Sequence, residues 1–375
     1  MKINGTLYRS VWVDEKDGWS VHIIDQTLLP FSFKIRRLTT AADVAEAICT
    51  MQVRGAPLIG AVAAYGIALA LRTNADDKTL EETAEMLIKT RPTAVNLQHA
   101  IQRMVTYLRP APSNKRAQAA YEEAARLCEE DINTNKAIGT YGVDLLQAIA
   151  HKKNHQKTNE PLHILTHCNA GWLATVDYGT ALSPIYMAHD AGLNVHVWVD
   201  ETRPRNQGAS LTAWELKSHG VPHTVITDNA GGHFMQHEQV DIVIVGADRV
   251  TRTGDVANKI GTYLKALAAY DNALPFWVAL PSTTIDWTIT NGLKDIPIEE
   301  RSATEVTHLT GHDPQGLITQ IHIMPDTVKV ANPAFDVTPA RLITGLITEK
   351  GCCAATPQGI LSLFPEMKEY YTESL

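Results

Sequence analysis

The chain has 375 residues, 45% of them apolar and 20% charged. That composition excludes a disordered chain, a collagen-like repeat and a coiled coil, and the length is that of roughly two domains. Thirty-three Lys and Arg against 41 Asp and Glu leave a formal net charge of −8, so no global basic field draws in nucleic acid, although a local basic pocket for one phosphate stays compatible.

The opening residues alternate in short β-like runs, Ser10–Val13, Val21–Asp25 and Phe31–Lys34, separated by Gly and Pro. They predict a small antiparallel sheet. Helical spacing follows over Ala41–Met51, with Thr39 or Thr40 as cap, then over Pro57–Leu71, Leu80–Lys89 and Val95–Leu108. Ser113–Ala150 is a long Ala-rich helical stretch with a break expected near Gly139. The longest apolar segment, Ala56–Leu71, contains Gly60 and Gly66 and reads as a buried helix. No stretch approaches the roughly 18 apolar residues that span a bilayer, and the first residues carry no apolar signal core. Asn4-Gly5-Thr6 matches a glycosylation sequon. The polar run His151–Pro161 reads as an exposed linker, which divides the chain into residues 1–150 and 151–375.

After that linker the rhythm changes. Strand-like runs at His163–Thr166, Asn194–Val199, His223–Thr227, Asp241–Val245 and Pro275–Leu280 alternate with helical stretches at Tyr178–Ala191, Ala209–His219 and Lys259–Tyr270. This spacing predicts βαβ units and a parallel sheet. The fold class is therefore α/β: a helical N-terminal domain with a small antiparallel sheet, followed by a Rossmann-like parallel-sheet domain. In such sheets ligands bind beyond the carboxyl ends of the strands. Those ends carry His167-Cys168-Asn169-Ala170-Gly171, Asp200-Glu201-Thr202-Arg203-Pro204, Gly246-Ala247-Asp248-Arg249 and Pro281-Ser282-Thr283-Thr284.

Cys168 is either a buried thiol acting as a small hydrophobe or a reactive group whose pKa is lowered by backbone N–H groups at the strand end. Asp248 closes a very apolar run, so burial raises its pKa toward what a proton donor requires. The alternative is a helix cap or an ion pair with Arg249. Lys259, in Gly254–Gly261, is expected at a helix start beside free N–H groups, which is an anion site. Arg54-Gly55-Ala56-Pro57 and Arg91-Pro92-Thr93-Ala94-Val95-Asn96-Leu97 each place an Arg and a Pro before a helix. Each Arg clamps a phosphate or pairs with a carboxylate; two together favour an anion site. No Walker spacing, GxGxxG, HExxH, EF-hand or His/Cys metal spacing is present. The five cysteines are odd in number and form no CxxC, which fits a reducing, cytoplasmic setting.

These motifs together resemble the methylthioribose-1-phosphate isomerases. The resemblance is carried by the Arg54 and Arg91 segments, Thr166–Gly171, Asp200–Pro204, Gln207-Gly208-Ala209, Gly246–Arg249, Gly254–Lys259 and Asn332–Pro339. It runs from Asp25-Gln26-Thr27-Leu28-Leu29-Pro30 to about Gly351, in order. That family shares its fold with the regulatory subunits of the eukaryotic exchange factor for translation initiation. The resemblance implies an aldose–ketose isomerase of methionine salvage. It would convert 5-methylthio-α-D-ribose 1-phosphate to 5-methylthio-D-ribulose 1-phosphate, as a homodimer, without metal or cofactor.

Carried over by position, Asp248 is the family's proton donor and Cys168 its transition-state-stabilising cysteine. Arg54, Gly55, Ala56, Arg91, Gln207, Asn258 and Lys259 are substrate contacts. The insert His151–Pro161 and the loop Asp286–Arg301 are where variation is expected to matter least or to be hardest to align. The implied partner is the sugar phosphate, with neither nucleic acid nor membrane. The competing readings are a ribose-1,5-bisphosphate isomerase and a non-catalytic regulatory subunit of the same fold. A nicotinamide-dependent dehydrogenase lacks its glycine fingerprint.

Overall fold

The computed structural model describes residues 1–3, 5–91, 94–154 and 160–372. Asn4 of the sequon, Pro92 and Thr93 of the second Arg-Pro motif, and residues 155–159 of the expected linker lie outside the described residues.

A two-strand ribbon, β1 (Lys2–Ile3) and β2 (Thr6–Leu7), precedes an antiparallel sheet of β3 (Val11–Val13), β4 (Val21–Ile24) and β5 (Ile35–Leu38). The third strand lies four residues later than the expected Phe31–Lys34. Phe31 and Phe33 are used in packing instead, their rings 4.4 Å from His312 and 5.2 Å from Tyr8. Helix α1 (Ala41–Cys49) begins as expected, with a capping box between Thr40 and Asp43. Helix α2 (Ala56–Thr73) is long and apolar enough to cross a membrane by length and composition, but it is mostly buried inside the molecule. Helix α3 (Asp77–Thr90) starts three residues before the expected Leu80, because the Asp76 side chain accepts from the Thr79 N–H at 2.7 Å. Helix α4 (Val95–Leu108) has the expected bounds.

Helix α5 (Ser113–Asn154) is unbroken over 42 residues. The break expected at Gly139 does not occur. A Cβ on Gly139 would stand 2.3 Å from Ser183 Oγ, and one on Gly142 2.3 Å from Pro184, so these glycines let a neighbouring helix approach. The helix also takes in His151–Asn154, the start of the expected linker. Its first half (Ala120, Ala124, Cys128, Ile132) joins the core of the helical region, built on α2. Its second half (Ile138, Leu146, Ala150) joins the core beneath the large sheet.

The rest of the chain runs β6 (Leu162–Thr166), α6 (Ser183–Asp190), β7 (Val195–Asp200), α7 (Ala213–His219), β8 (His223–Ile226), α8 (Ala230–Gln236) and β9 (Ile242–Val245). Then come β10 (Arg249–Thr251), β11 (Val256–Lys259), α9 (Thr262–Asp271), β12 (Phe276–Ala279), β13 (Ile285–Asp286), the hairpin β14 (His308–His312) and β15 (Ile318–His322), β16 (Phe335–Thr338), β17 (Gly345–Thr348) and β18 (Gly351–Cys353). The seven-stranded sheet has the order β18-β17-β12-β9-β6-β7-β8 and is parallel apart from β18. Counted from β6, its parallel strands lie in the doubly wound order 3-2-1-4-5-6. The strand order reverses between β6 and β9, which pair through Ile164↔Ile242 and Leu165↔Val243. A four-stranded sheet, β13-β10-β11-β16, is built on the chain leaving β9.

Two expected helices shorten. Residues 178–182 are irregular, with Tyr178 left-handed at φ 67°. Lys259 ends the strand β11, and the helix starts three residues later, after a left-handed Gly261.

Candidate active site

The sheet geometry places the two chemistry-bearing side chains. Three residues beyond the paired Leu165 and Val243 stand Cys168 and Gly246, and Asp248 lies two further on. Both therefore sit at the crevice where the strand order reverses. A cleft opens there. Its walls include Arg54, Gly55, Ala56, Arg91, Cys168, Gln207, Asp248, Asn258 and Lys259, so every site residue expected from the sequence meets in one place. The apolar walls include Met51, Pro57, Ala174 and Phe335.

Cys168 is buried and left-handed, at φ 65°, an uncommon conformation for a residue with a Cβ. Its N–H donates to Thr202 Oγ1 at 2.8 Å, and its carbonyl accepts from Thr212 Oγ1 at 2.6 Å. The conformation aims Sγ at Gln207 Oε1, 3.3 Å away. Gln207 immediately precedes a π-helical turn, Gly208–Thr212, a feature frequent at functional sites. Burial pushes the thiol up, and Lys259 and Arg54 pull it partway back down. The expected lowering is therefore outweighed: the backbone pins the residue, but desolvation dominates.

Asp248 emerges from the fully buried β9. Its carboxyl is pushed up by burial, against the pull of Lys259, Arg91 and Arg54. Both alternatives fail: the strand β10, not a helix, follows Asp248, and Arg249 turns to Asp286, 3.6 Å away. Asp248 thus faces the cleft as a desolvated carboxyl among cations.

Arg54 is buried, and its partners are neutral: Asn169 Oδ1 accepts from Nη1, and the Asn169 carbonyl accepts from Nη2 at 2.7 Å. Gly55 caps α2 at φ 93°, and a Cβ there would stand 2.4 Å from the Ala174 carbonyl. Only glycine permits that approach. Residues 55–57 bring the N-terminal end of the 18-residue α2 to the cleft, with no side-chain cap. Its uncapped N–H groups and dipole favour an anion. Arg91 lies 3.4 Å from Glu299, and its buried Nε lacks a partner among the described residues. Glu299 is also held by Arg301 at 2.9 Å. Within the loop Asp286–Arg301, Glu299 thus buttresses Arg91.

Lys259 reaches the cleft from the strand end, its Nζ 5.3 Å from the centre of the Phe335 ring. The register Lys259↔Phe335 makes that contact. The helix start expected to bind an anion here is occupied, because Asp336 accepts from the N–H groups of Gly261 at 2.7 Å and Tyr263 at 3.1 Å. Asn258 Nδ2 donates to Thr262 Oγ1 at 3.0 Å.

Beneath Cys168 lies a charged layer that sequence reasoning did not assign. Asp200 is fully buried and accepts from Thr202 Oγ1 at 2.6 Å, His167 Nδ1 at 2.7 Å and Lys265 Nζ at 2.9 Å. Burial pushes its carboxyl up, but His167 and Lys265 outweigh that and hold it down at about 2. His167 Nε2 faces the Ile260 carbonyl at 2.9 Å, so each ring nitrogen lies against an oxygen. His167, Asp200 and Asp228 lie close enough to suggest a metal site. The Lys265 ammonium already stands there, also 3.9 Å from Asp228, and supplies the cation. Helical periodicity alone gives no sign of Lys265, on α9, in this role.

A doubly wound sheet with a cationic cleft at its switch point defines an α/β protein built to hold a small anion. Residues 52–355 match the initiation factor 2 subunit family, and the chain belongs to that family. Within it, the chain is 63% identical to the methylthioribose-1-phosphate isomerase of Acidiphilium cryptum (strain JF-5) over 366 residues, 98% of each chain. It is 61% identical to that of Gluconobacter oxydans (strain 621H), over 98% of this chain and 99% of the relative. Among solved structures, 5-methylthioribose 1-phosphate isomerase from Pyrococcus horikoshii OT3 superposes with a TM-score of 0.82 at 40% identity, covering 98% of this chain and all of that one. The translation initiation factor eIF-2B, subunit delta, from A. fulgidus gives 0.78 at 39% identity, covering 96% and 100%. Both kinds of name attach to one fold, so the fold alone does not assign an activity.

Proposed function

We propose that this chain is an aldose–ketose isomerase that converts 5-methylthio-α-D-ribose 1-phosphate to 5-methylthio-D-ribulose 1-phosphate in methionine salvage. The observation that carries the reading is the pairing of a raised-pKa carboxyl, Asp248, with the thiol of Cys168 in one cation-lined cleft. The relatives at 61–63% identity bear the same name. A scaffold that only binds and assembles has no need of that pair.

The chemistry explains the groups. The anomeric oxygen carries phosphate, so the furanose cannot open by simple loss of a proton. The ring oxygen must gain a proton as its bond to C1 breaks. Asp248 supplies it, because burial keeps the carboxyl protonated above the usual carboxylate range. Cys168 rests as a thiol against Gln207 and stabilises charge developing during transfer between C2 and C1. Arg54, Arg91, Lys259 and the α2 N-terminus hold the phosphate. Gln207 and Asn258 position the sugar, and Gly55 and Ala56 let the α2 backbone approach it. The apolar walls exclude water from the intermediate and suit a methylthio group.

A ribose 1,5-bisphosphate would need a second anion site. Arg205, in the adjoining cavity, is paired with Glu305 at 3.1 Å. Assaying both sugars with the purified chain tests the reading: turnover of the methylthio sugar is expected, and turnover of the bisphosphate alone, or of neither, contradicts it. The reading extends to a cytoplasmic homodimer: the five free cysteines suit a reducing setting, and the two domains, proposed over 1–150 and 151–375, share helix α5, whose second half packs beneath the large sheet. Light scattering tests the dimer: a monomer's mass at working concentration removes it.

A further inference from the structure

Glu215 lies on α7 behind the cleft and is fully buried. Four donors converge on it. Asn169 Nδ2 and the Leu173 N–H reach Oε1 at 2.9 and 3.1 Å. The Trp172 N–H and the Tyr186 hydroxyl reach Oε2 at 2.9 and 2.7 Å. Burial pushes this carboxyl up, yet every group facing it donates, and four donors suit an ionised acceptor. The segment after Cys168 is wrapped around it. A Cβ on Gly171 would stand 1.9 Å from Oε2, which explains the glycine at that position.

The consequence reaches the cleft through Asn169. Its Nδ2 donates to Glu215 and, at 3.1 Å, to Thr212 Oγ1. Both amide protons are thereby spoken for on one side, so Oδ1 faces the other way. There it meets Arg54 Nη1, while the Asn169 carbonyl takes Nη2. A planar guanidinium held at two points has a fixed plane. Glu215 also places a negative charge one layer behind a buried cation whose direct partners are neutral, so Arg54 is supported without being neutralised by contact.

We infer that Glu215 is a positioning residue: it sets the Asn169 amide, which sets the Arg54 fork that receives the phosphate. This rests on the proposed role of Arg54. A merely structural Glu215 would affect stability without singling out Arg54.

The test is a double-mutant cycle on the full chain, with inorganic phosphate as the probe and calorimetry as the readout, using Glu215→Gln, Arg54→Ala and the double variant. A glutamine turns an N–H₂ toward donors and disturbs the Asn169 amide. E215Q is expected to weaken phosphate binding about tenfold, R54A by more, and the double variant no further than R54A. For the sugar substrate, E215Q should raise KM more than it lowers kcat. Should E215Q fail to fold, Asn169→Ala, which removes the transmitting amide and leaves the carboxylate in place, takes its position in the cycle with the same expectation. Wild-type phosphate affinity in the variant paired with R54A, or an undiminished loss in the R54A background, overturns the inference and leaves the phosphate site standing. Wild-type affinity in R54A itself removes Arg54 from that site and overturns both readings.

Discussion

Asp200 ends β7 and Asp248 follows β9, on either side of β6 in one sheet. Burial pushes both carboxyls up, yet the net shifts run in opposite directions. Asp200 makes three hydrogen bonds, to Thr202, His167 and Lys265, and is held down at about 2. Asp248 faces cations across a cleft, and its carboxyl ends above the ordinary range. Depth alone does not decide the charge of a strand-end carboxyl; at Asp200 the direct contacts with His167 and Lys265 outweigh burial. One carboxylate is fixed as part of the floor, and the other is left to move a proton.

Asp248→Asn tests the contrast most sharply. It should lower kcat by roughly 10²-fold or more while leaving thermal stability near that of the wild type; steady-state kinetics and a melting curve check both halves. Cys168→Ser should likewise lower kcat by about 10²-fold, because an alcohol replaces the polarisable thiol facing the reacting carbons, with folding preserved by circular dichroism. Asp200→Asn should do the reverse of D248N. It leaves Lys265 as a buried charge without its anion and should cost about 3–5 kcal/mol in denaturant unfolding.

The pH dependences follow with opposite signs. The active form of Asp248 is protonated, so kcat/KM should fall as pH rises through its raised pKa, and that alkaline limb should be absent from the residual activity of D248N. The stabilisation from Asp200 is present above its unfolded pKa of about 3.9 and is lost as pH falls toward about 2, where the folded group titrates. Melting in acid should show the loss in the wild type and not in D200N. The smallest effect is expected at Glu299, 3.4 Å from Arg91. Glu299→Gln should raise KM about fivefold through a poorly held Arg91, with kcat little changed.

Much of this was legible in the sequence because it is local. Thr40 and Asp43 announce the start of α1, and α4 shows its bounds by periodicity alone. The strand-end rule pointed to Cys168 and Asp248 without a tertiary contact. What was not legible depends on distant pairing. Lys259 looked like a helix start because Gly261 and the apolar run follow it, but β16, over 70 residues later, pairs with that segment and makes it a strand. Gly139 looked like a break because nothing in α5 reveals that Ser183 must approach there. Glu215, Lys265 and Glu299 read as ordinary carboxylates and an ordinary lysine. Their roles are set by Asn169, Asp200 and Arg91, partners 46, 65 and 208 residues away.

The most direct measurement is carboxyl ¹³C NMR of the Asp-labelled protein across a pH titration, compared with D248N and D200N. The account predicts one resonance that stays protonated above the usual carboxylate range and vanishes in D248N, and another that stays ionised well below that range and vanishes in D200N. A resonance assigned to Asp248 that titrates with the exposed aspartates would contradict it.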